Sequence, residues 1–233
     1  LVLADSKRLL PVPDDVDLET ACAATLQGMT AHALVTDCVR VQEGTVAVVH
    51  AAAGGVGQLL TQMITNRGGT VIATAGSDTK LEIARSRGAA EVIDYGQSED
   101  LAADIAAAAR RLGADAGVDV VYDGVGKATF DASLASLRRR GTLVLFGAAS
   151  GQVPPFDLQR LNSGGSLFVT RPSLAHYIED RDELLMRGRE VFEDISAGRL
   201  DIAIGGRHPF AEAAEAYRAL EARATTGKLI LVP

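Results

Sequence analysis

At 233 residues the chain exceeds one typical domain and falls short of two complete ones. Its composition, 47% hydrophobic but only 4% aromatic, suits aliphatic strands covered by helices. A net charge of −7 from 30 acids against 23 bases, with no basic stripe, excludes the electrostatic footprint of a nucleic-acid binder, and no apolar run reaches the roughly 18 residues that cross a bilayer. Neither nucleic acid nor a membrane is therefore expected as a partner. Cys22 and Cys38 form no CxxC pair and have no histidine at ligand spacing, so neither a zinc site nor a disulfide framework is expected and reduced cytoplasmic thiols are the default.

The chain opens on a strand-like LVLADSKRLLPVP without an initiator methionine, which reads as the middle of a longer protein. Leu18 to about Val39 carries apolar residues near helical spacing and reads as a helix. Short apolar runs follow at Val46–Val49, Val71–Thr74, Glu91–Ile93, Val118–Tyr122, Leu143–Phe146 and Leu167–Val169, alternating with helical stretches at Val56–Asn66, Thr79–Arg87, Leu101–Arg111 and Thr129–Arg139. This rhythm predicts an α/β fold, a doubly wound parallel sheet with helices on both faces. Arg138, Arg139 and Arg140 before Gly141 read as a basic cap on a helix C-terminus. Beyond Thr170 the rhythm breaks, leaving helices at Arg181–Ala197 and Ala211–Ala222 and a last strand at Leu229–Val232. That tail has too little apolar material to stand alone and is expected to complete a lobe begun upstream of Leu1.

VAVVHAAAGGVGQLLTQMI presents a strand, a glycine-rich turn and a helix start in that order, the context in which a dinucleotide-binding pattern carries weight. Gly54 and Gly55 would let the backbone approach a pyrophosphate, the helix from Val56 would aim unpaired N–H groups at it, and Gly57 would let helix and strand pack closely. Ala52 replaces the first glycine of the usual pattern, and a tight strand-to-helix turn without a ligand is the plainer alternative. About 20 residues past such a turn a carboxylate would bind the ribose hydroxyl of NAD. Gly76 and Ser77 stand there instead, with Lys80 one helical turn on, which suits a phosphate. Against this, Ser77 or Thr79 could merely cap the helix, Thr79 in a capping box with Glu82, and Asp78 would oppose a phosphate unless it faces outward. Asp123 ends a strand at the carboxyl edge of the sheet, where it suits either a ligand or a loop cap.

HAAAGGVGQ, GSDTK, VIDYG, VVYDGVG, LRRRGTLVLFGAASG, GSLFVTRPSL and RATTGKLILVP, in this order from about Leu10 to Pro233, together resemble the NADPH-dependent, zeta-crystallin-like quinone oxidoreductases of the medium-chain dehydrogenase/reductase superfamily. The resemblance implies a Rossmann-type NADP-binding domain at 27–170. Residues 1–26 and 171–233 would be remnants of a GroES-like catalytic domain whose upstream part, about a third of a full-length protein, precedes Leu1. It implies NADPH as cofactor, with Lys80 and Tyr95 flanking the 2′-phosphate, and Thr30, Val125, Phe146, Gly147 and Ser150 along the nicotinamide half. Arg171 and Lys228 would close around the cofactor. Plainer roles exist for several of these: Tyr95 ends a strand, Phe146 suits a core, and Lys228 suits a solvated strand position.

The resemblance further implies a quinone or enone as small-molecule substrate and a homodimer paired through the edge strand 166–170. Zinc dehydrogenases of the same superfamily carry a cysteine just ahead of the turn matching LQGMTA, where Leu26 and Gln27 stand here, so no catalytic metal is expected. His32, His50, His176 and His208 lack metal-ligand spacing. No G-x-S-x-G, no GxxxxGK[ST] and no Tyr-x-x-x-Lys pattern is present. NADPH:quinone reduction without an assigned catalytic side chain is the reading these features favour. The alternatives are an enoyl or alkenal reductase of the same superfamily and a cofactor-binding fragment without catalysis; an RNA-binding role is opposed by the acidic balance.

Overall fold

The computed structural model describes residues 3–222 and 225–233. Leu1 and Val2 of the opening segment, and Arg223 and Ala224 of the closing RATTGK motif, lie outside the described residues. Helix α1 (Leu18–Ala33) starts where the Asp17 carboxylate accepts the Thr20 amide at 2.9 Å, a side-chain N-cap, and it widens into a π-helical turn over Leu34–Cys38. Four strand–helix pairs and a fifth strand follow: β1 (Val46–Val49), α2 (Gly55–Asn66), β2 (Thr70–Ala75), α3 (Asp78–Ser86), β3 (Glu91–Asp94), α4 (Leu101–Arg111), β4 (Val118–Asp123), α5 (Phe130–Ser136) and β5 (Leu137–Leu145). After them come α6 (Gln159–Ser163), β6 (Phe168–Thr170), α7 (Leu174–Tyr177), α8 (Arg181–Ser196), β7 (Ile204–Pro209), α9 (Ala213–Glu221) and β8 (Lys228–Val232).

The first six strands form one parallel sheet in the order β3-β2-β1-β4-β5-β6, so the chain reverses its direction of building between β1 and β4. Successive residues of a strand serve opposite layers. Ala47 and Val49 pack with Leu34, Leu60 and Met63 on one face, and Val48 packs with Ile72, Ile105 and Leu134 on the other. Both layers are dry and aliphatic, as expected of a parallel sheet covered on both sides. The fold is of the Rossmann type.

The expected strand and helix boundaries hold within a few residues except in the opening segment and between α5 and β5, and α6, α7 and β7 have no expected counterpart. Ser6–Arg8 forms a 3₁₀ turn rather than a strand, because the Asp5 carboxylate accepts the Lys7 amide and no strand lies alongside. The helix expected through Arg139 stops at Ser136, and Arg138–Arg140 do not cap it: they open β5, where Leu137 pairs with Val118 and the Arg138 guanidinium meets Asp119 at 2.6 Å. Burial of Leu137 and this ion pair across two strands override the local preference for helix. β7 was not anticipated. Its IGGRHP sequence shows no apolar alternation, and it exists because β8 pairs alongside it in parallel. The boundary expected between residues 26 and 27 falls inside the continuous α1.

A polar cluster fastens α1 to α8. Arg187 is fully buried; it donates through Nη1 to Asp37 at 2.7 Å and through Nε to the Tyr177 carbonyl at 2.9 Å, and its guanidinium sits 5.6 Å from the Tyr177 ring centre. Arg187 also donates to His32 Nδ1 at 3.3 Å, which leaves the imidazole proton on Nε2 facing Glu190 at 2.7 Å. Removing the carboxylate in Asp37→Ala leaves a buried guanidinium without its anion, and chemical denaturation should show a loss of about 3 kcal/mol.

Burial holds the imidazoles of both His32 and His50 below the ordinary 6.5, against the opposing pull of Glu190 and Asp123 respectively. The unfolded chain then takes up protons that the folded chain refuses. Stability is therefore complete above pH 6.5 and falls as the pH drops below that value. The slope reaches about 1.4 kcal/mol per pH unit for each histidine. Urea midpoints compared at neutral pH and at about pH 5 should decline; a level or rising midpoint contradicts burial as neutral rings.

Candidate functional site

The loops after β1 and β4 leave the sheet on opposite sides of its reversal, which opens a crevice at the carboxyl edge. On one side the chain leaves β1 through His50 and Ala51, a non-glycine residue with φ of 52°. The Ala52 amide donates to the Thr74 carbonyl at 3.0 Å, tying the turn to β2. Gly54 then takes the N-cap position of α2 with no side-chain cap, so the helix presents its first amides to any anion in the crevice. A Cβ on Gly57 would lie 2.5 Å from the Ala51 carbonyl oxygen, the close helix–strand packing expected of that glycine. Gly55 has a further reason to lack a side chain: a Cβ there would land on the carboxamide of Gln27, which reaches in from α1. Val56, half-buried, packs against the aliphatic layer beneath.

At the end of β2, Gly76 is exposed, and a Cβ on it would approach the Tyr95 ring to 3.0 Å, so the glycine lets the ring lie against the turn. Ser77 occupies the N-cap of α3 but its side chain makes no capping bond, and Thr79 lies inside the helix, so the capping box with Glu82 does not form. Asp78 is exposed and does not line the cavity that Lys80 and Tyr95 border. Lys80, half-buried, and Tyr95, 37% exposed, line one cavity.

Opposite them, the loop after β4 is held by Asp123, whose Oδ1 accepts the amides of Val125 at 2.8 Å and Gly126 at 2.9 Å. This is the loop-capping role. The loop after β5 packs onto it: Phe146 and Gly147 both donate their amides to the Asp123 carbonyl, and a Cβ on Gly124 would touch the Phe146 ring at 2.9 Å. The Ser150 hydroxyl donates to the Val125 carbonyl at 2.8 Å and accepts the Ala128 amide at 2.9 Å, so it staples the two loops.

Gly54, Lys80, Tyr95 and Val125 thus meet around a cavity of 260 Å³. Among the described residues Ala51, Ala53, Ala75, Ala149, Leu220 and Thr225 also line it; none of them is singled out by the sequence. The run of small residues in HAAAGG and the RATTGK motif that contains Thr225 are the traces they leave there, and no motif marks Leu220. Gly55, Val56, Gly76, Ser77, Phe146, Gly147 and Ser150 belong to the same turns without lining the cavity itself. Thr30 is spent locally, its hydroxyl donating to the Leu26 carbonyl at 2.7 Å. Arg171 follows β6 on the exposed surface, with only a 3.4 Å contact to the Pro172 carbonyl on its Nη1. Lys228 lines a second, 140 Å³ cavity between α9 and β8 rather than the first, although Leu220 borders both.

The C-terminal segment is fixed to this crevice. Gly54 bridges in parallel to Gly227, Gln62 exchanges two hydrogen bonds with the backbone of Asp201, and the Arg87 guanidinium pairs with the Asp201 carboxylate. Among the described residues no group of three His, Cys, Asp or Glu side chains is placed to share a metal ion.

Residues 55–179 match the family model described as zinc-binding dehydrogenase. The metal in that description does not fit the described residues, which hold no group of three side chains able to share it. The chain is 40% identical over 232 residues to a quinone oxidoreductase of Pseudomonas aeruginosa, covering 100% of this chain and 70% of the relative. It is 37% identical to a 2-haloacrylate reductase of a Burkholderia species, covering 99% of this chain and 69% of that protein. A mycobacterial protein solved in complex with NADPH superimposes with a TM-score of 0.89 at 49% identity, covering 95% of this chain and 66% of that one. The chain therefore spans about two thirds of the length of these relatives. With a parallel sheet reversing at β1, a glycine turn opening α2 and this likeness along its whole length, the chain belongs to the quinone oxidoreductases of the medium-chain dehydrogenase/reductase superfamily.

Proposed function

We propose that the protein carrying this chain reduces quinones with NADPH, and that this chain supplies the cofactor's seat. The observation that carries the reading is the meeting of Lys80 and Tyr95 with the glycine turn around one cavity, at the end of a strand that lacks the acid NAD would need. The amides of α2 would take the pyrophosphate, and Lys80, Ser77 and the backbone at Gly76 would take the 2′-phosphate, with Tyr95 beside it. Val125, Phe146, Gly147 and Ser150 would wall the nicotinamide half. Thr30, Arg171 and Lys228 would reach it only from the rim. Bound NADPH would supply the hydride, and the chain's own task is to orient the ring and exclude water from an apolar slot. No side chain of the chain is assigned acid–base work.

Residues 1–26 and 171–233 are proposed as parts of the second lobe and 27–170 as the nucleotide-binding domain. The third of the relatives' length not matched here would add the remaining wall of the substrate slot. A homodimer through 166–170 fits the free outer edge of β6 and the 58% exposure of Phe168. A cytoplasmic setting fits the two free cysteines. Reduction of an activated alkene is a second reading, favoured by the near-equal identity to the 2-haloacrylate reductase.

Lys80→Ala should weaken NADPH on the order of 10- to 100-fold, the worth of one charge-assisted contact, while NADH affinity stays nearly constant. Fluorescence titration of both reduced cofactors checks this, and an unchanged ratio of affinities removes the phosphate reading. NADPH oxidation followed with benzoquinone and with 2-haloacrylate, on this chain and on the full-length protein, tests the substrate class. Turnover of the haloacrylate alone would favour the second reading, and turnover of neither would overturn both.

A further inference from the structure

Behind the crevice lies a chain of polar side chains with no cation in it. His50 and Asp123 are both 0% exposed and stand at the carboxyl ends of β1 and β4. Thr74 Oγ1 lies 2.8 Å from His50 Nδ1, and Ser133 Oγ lies 3.1 Å from His50 Nε2. Ser133 donates its one proton to Asp123 Oδ2 at 2.9 Å, and Thr129 donates to the same oxygen at 2.7 Å. The other oxygen of Asp123 holds the amides of Val125 and Gly126. Four donors thus satisfy a wholly buried carboxylate without an ion pair.

We infer that Asp123 is a positioning residue, which together with His50 sets the separation of the two walls of the dinucleotide crevice. The inference rests on the NADPH reading above. Proton counting specifies the array. Since Ser133 donates to Asp123, it can only accept from His50, so the imidazole carries its proton on Nε2 and accepts from Thr74 through Nδ1. His50 immediately precedes Ala51 on one wall, and Asp123 grips Val125 on the other. The His50 amide also donates to the Tyr122 carbonyl at 3.1 Å, so backbone and side chains bind the two strand ends together. A directed hydrogen-bond chain resists changes in the gap more than apolar packing would, because each buried member that loses its partner is left unsatisfied.

The array makes a spectroscopic prediction. In Asp123→Asn the new amide group donates to Ser133 and Thr129; the buried Ser133 proton, having lost its carboxylate acceptor, turns to His50 Nε2, and the ring proton moves to Nδ1, facing Thr74. The carboxamide oxygen still accepts the amides of Val125 and Gly126. Long-range nitrogen–proton correlation spectra of the ring should show a neutral Nε2–H tautomer in the wild-type chain and a neutral Nδ1–H tautomer in Asp123→Asn. In Asp123→Ala the two loop amides lose their acceptor, so they should exchange hydrogen faster, and NADPH should bind at least roughly tenfold more weakly in a chain whose circular dichroism is unchanged.

A wild-type imidazolium or Nδ1–H ring, an unmoved tautomer in Asp123→Asn, or wild-type NADPH affinity in folded Asp123→Ala overturns the inference. If Asp123→Ala fails to fold, the tautomer switch decides by itself. Failure of the wild-type chain to bind NADPH sinks the cofactor reading alone, and the tautomer and exchange results then still uphold or overturn the positioning role.

Discussion

The reversal of strand order at β1 is the constraint on which the rest depends. A parallel sheet built outward in both directions from one central pair sends the loops after β1 and β4 to opposite faces, and no side chain is needed to create the crevice between them. What the side chains do is keep it open and shape its walls. Alanines and glycines on the β1 side keep the backbone near the surface, and on the β4 side the Asp123 carboxylate folds the loop back on its own amides.

Two buried polar assemblies hold the molecule in contrasting ways. Behind the crevice, a carboxylate is satisfied by hydroxyls and backbone amides, and the imidazole beside it stays neutral because burial opposes its charge. Between α1 and α8, a full guanidinium is buried and held by a partly exposed carboxylate, a carbonyl and an aromatic face. Among the described residues its Nη2 has no hydrogen-bonding partner, a residual cost of burying a five-donor group. The first assembly lies where the crevice needs rigidity, and the second fastens the helix leading into the sheet to the helix returning from the end of the chain.

That return matters for the site. The segment around Asp201 is hydrogen-bonded to α2, and Gly227 is bridged to Gly54, so the C-terminal ribbon is fastened to the glycine turn. Leu220 and Thr225 reach the cavity only because of this attachment. Gln27 does the same from the other direction, filling the space that Gly55 leaves empty. The cavity is thus lined by stretches of chain far apart in sequence.

The apolar period and the punctuation by glycine were enough to read most of the alternating strands and helices, because each carries a local pattern that no other packing can satisfy as well. They also marked the glycine turn, Lys80 and the missing acid, since these depend on the backbone and charge of one short stretch. Four things depended on partners distant in the chain and had no local signal: the start of β5 at Leu137, the existence of β7, the inward reach of Leu220, and the hydroxyl-to-imidazole chain behind Asp123. Arg138 takes an extended conformation because Asp119 and Val118 are beside it, and Gly205-Gly206 becomes a strand only with β8 to pair against. Amino-acid order alone determined the class of fold and the placing of the glycine turn, which are properties of local periodicity. Tertiary structure decided which side chains face the cavity, because burial and hydrogen-bond partnership exist only once the strands are side by side.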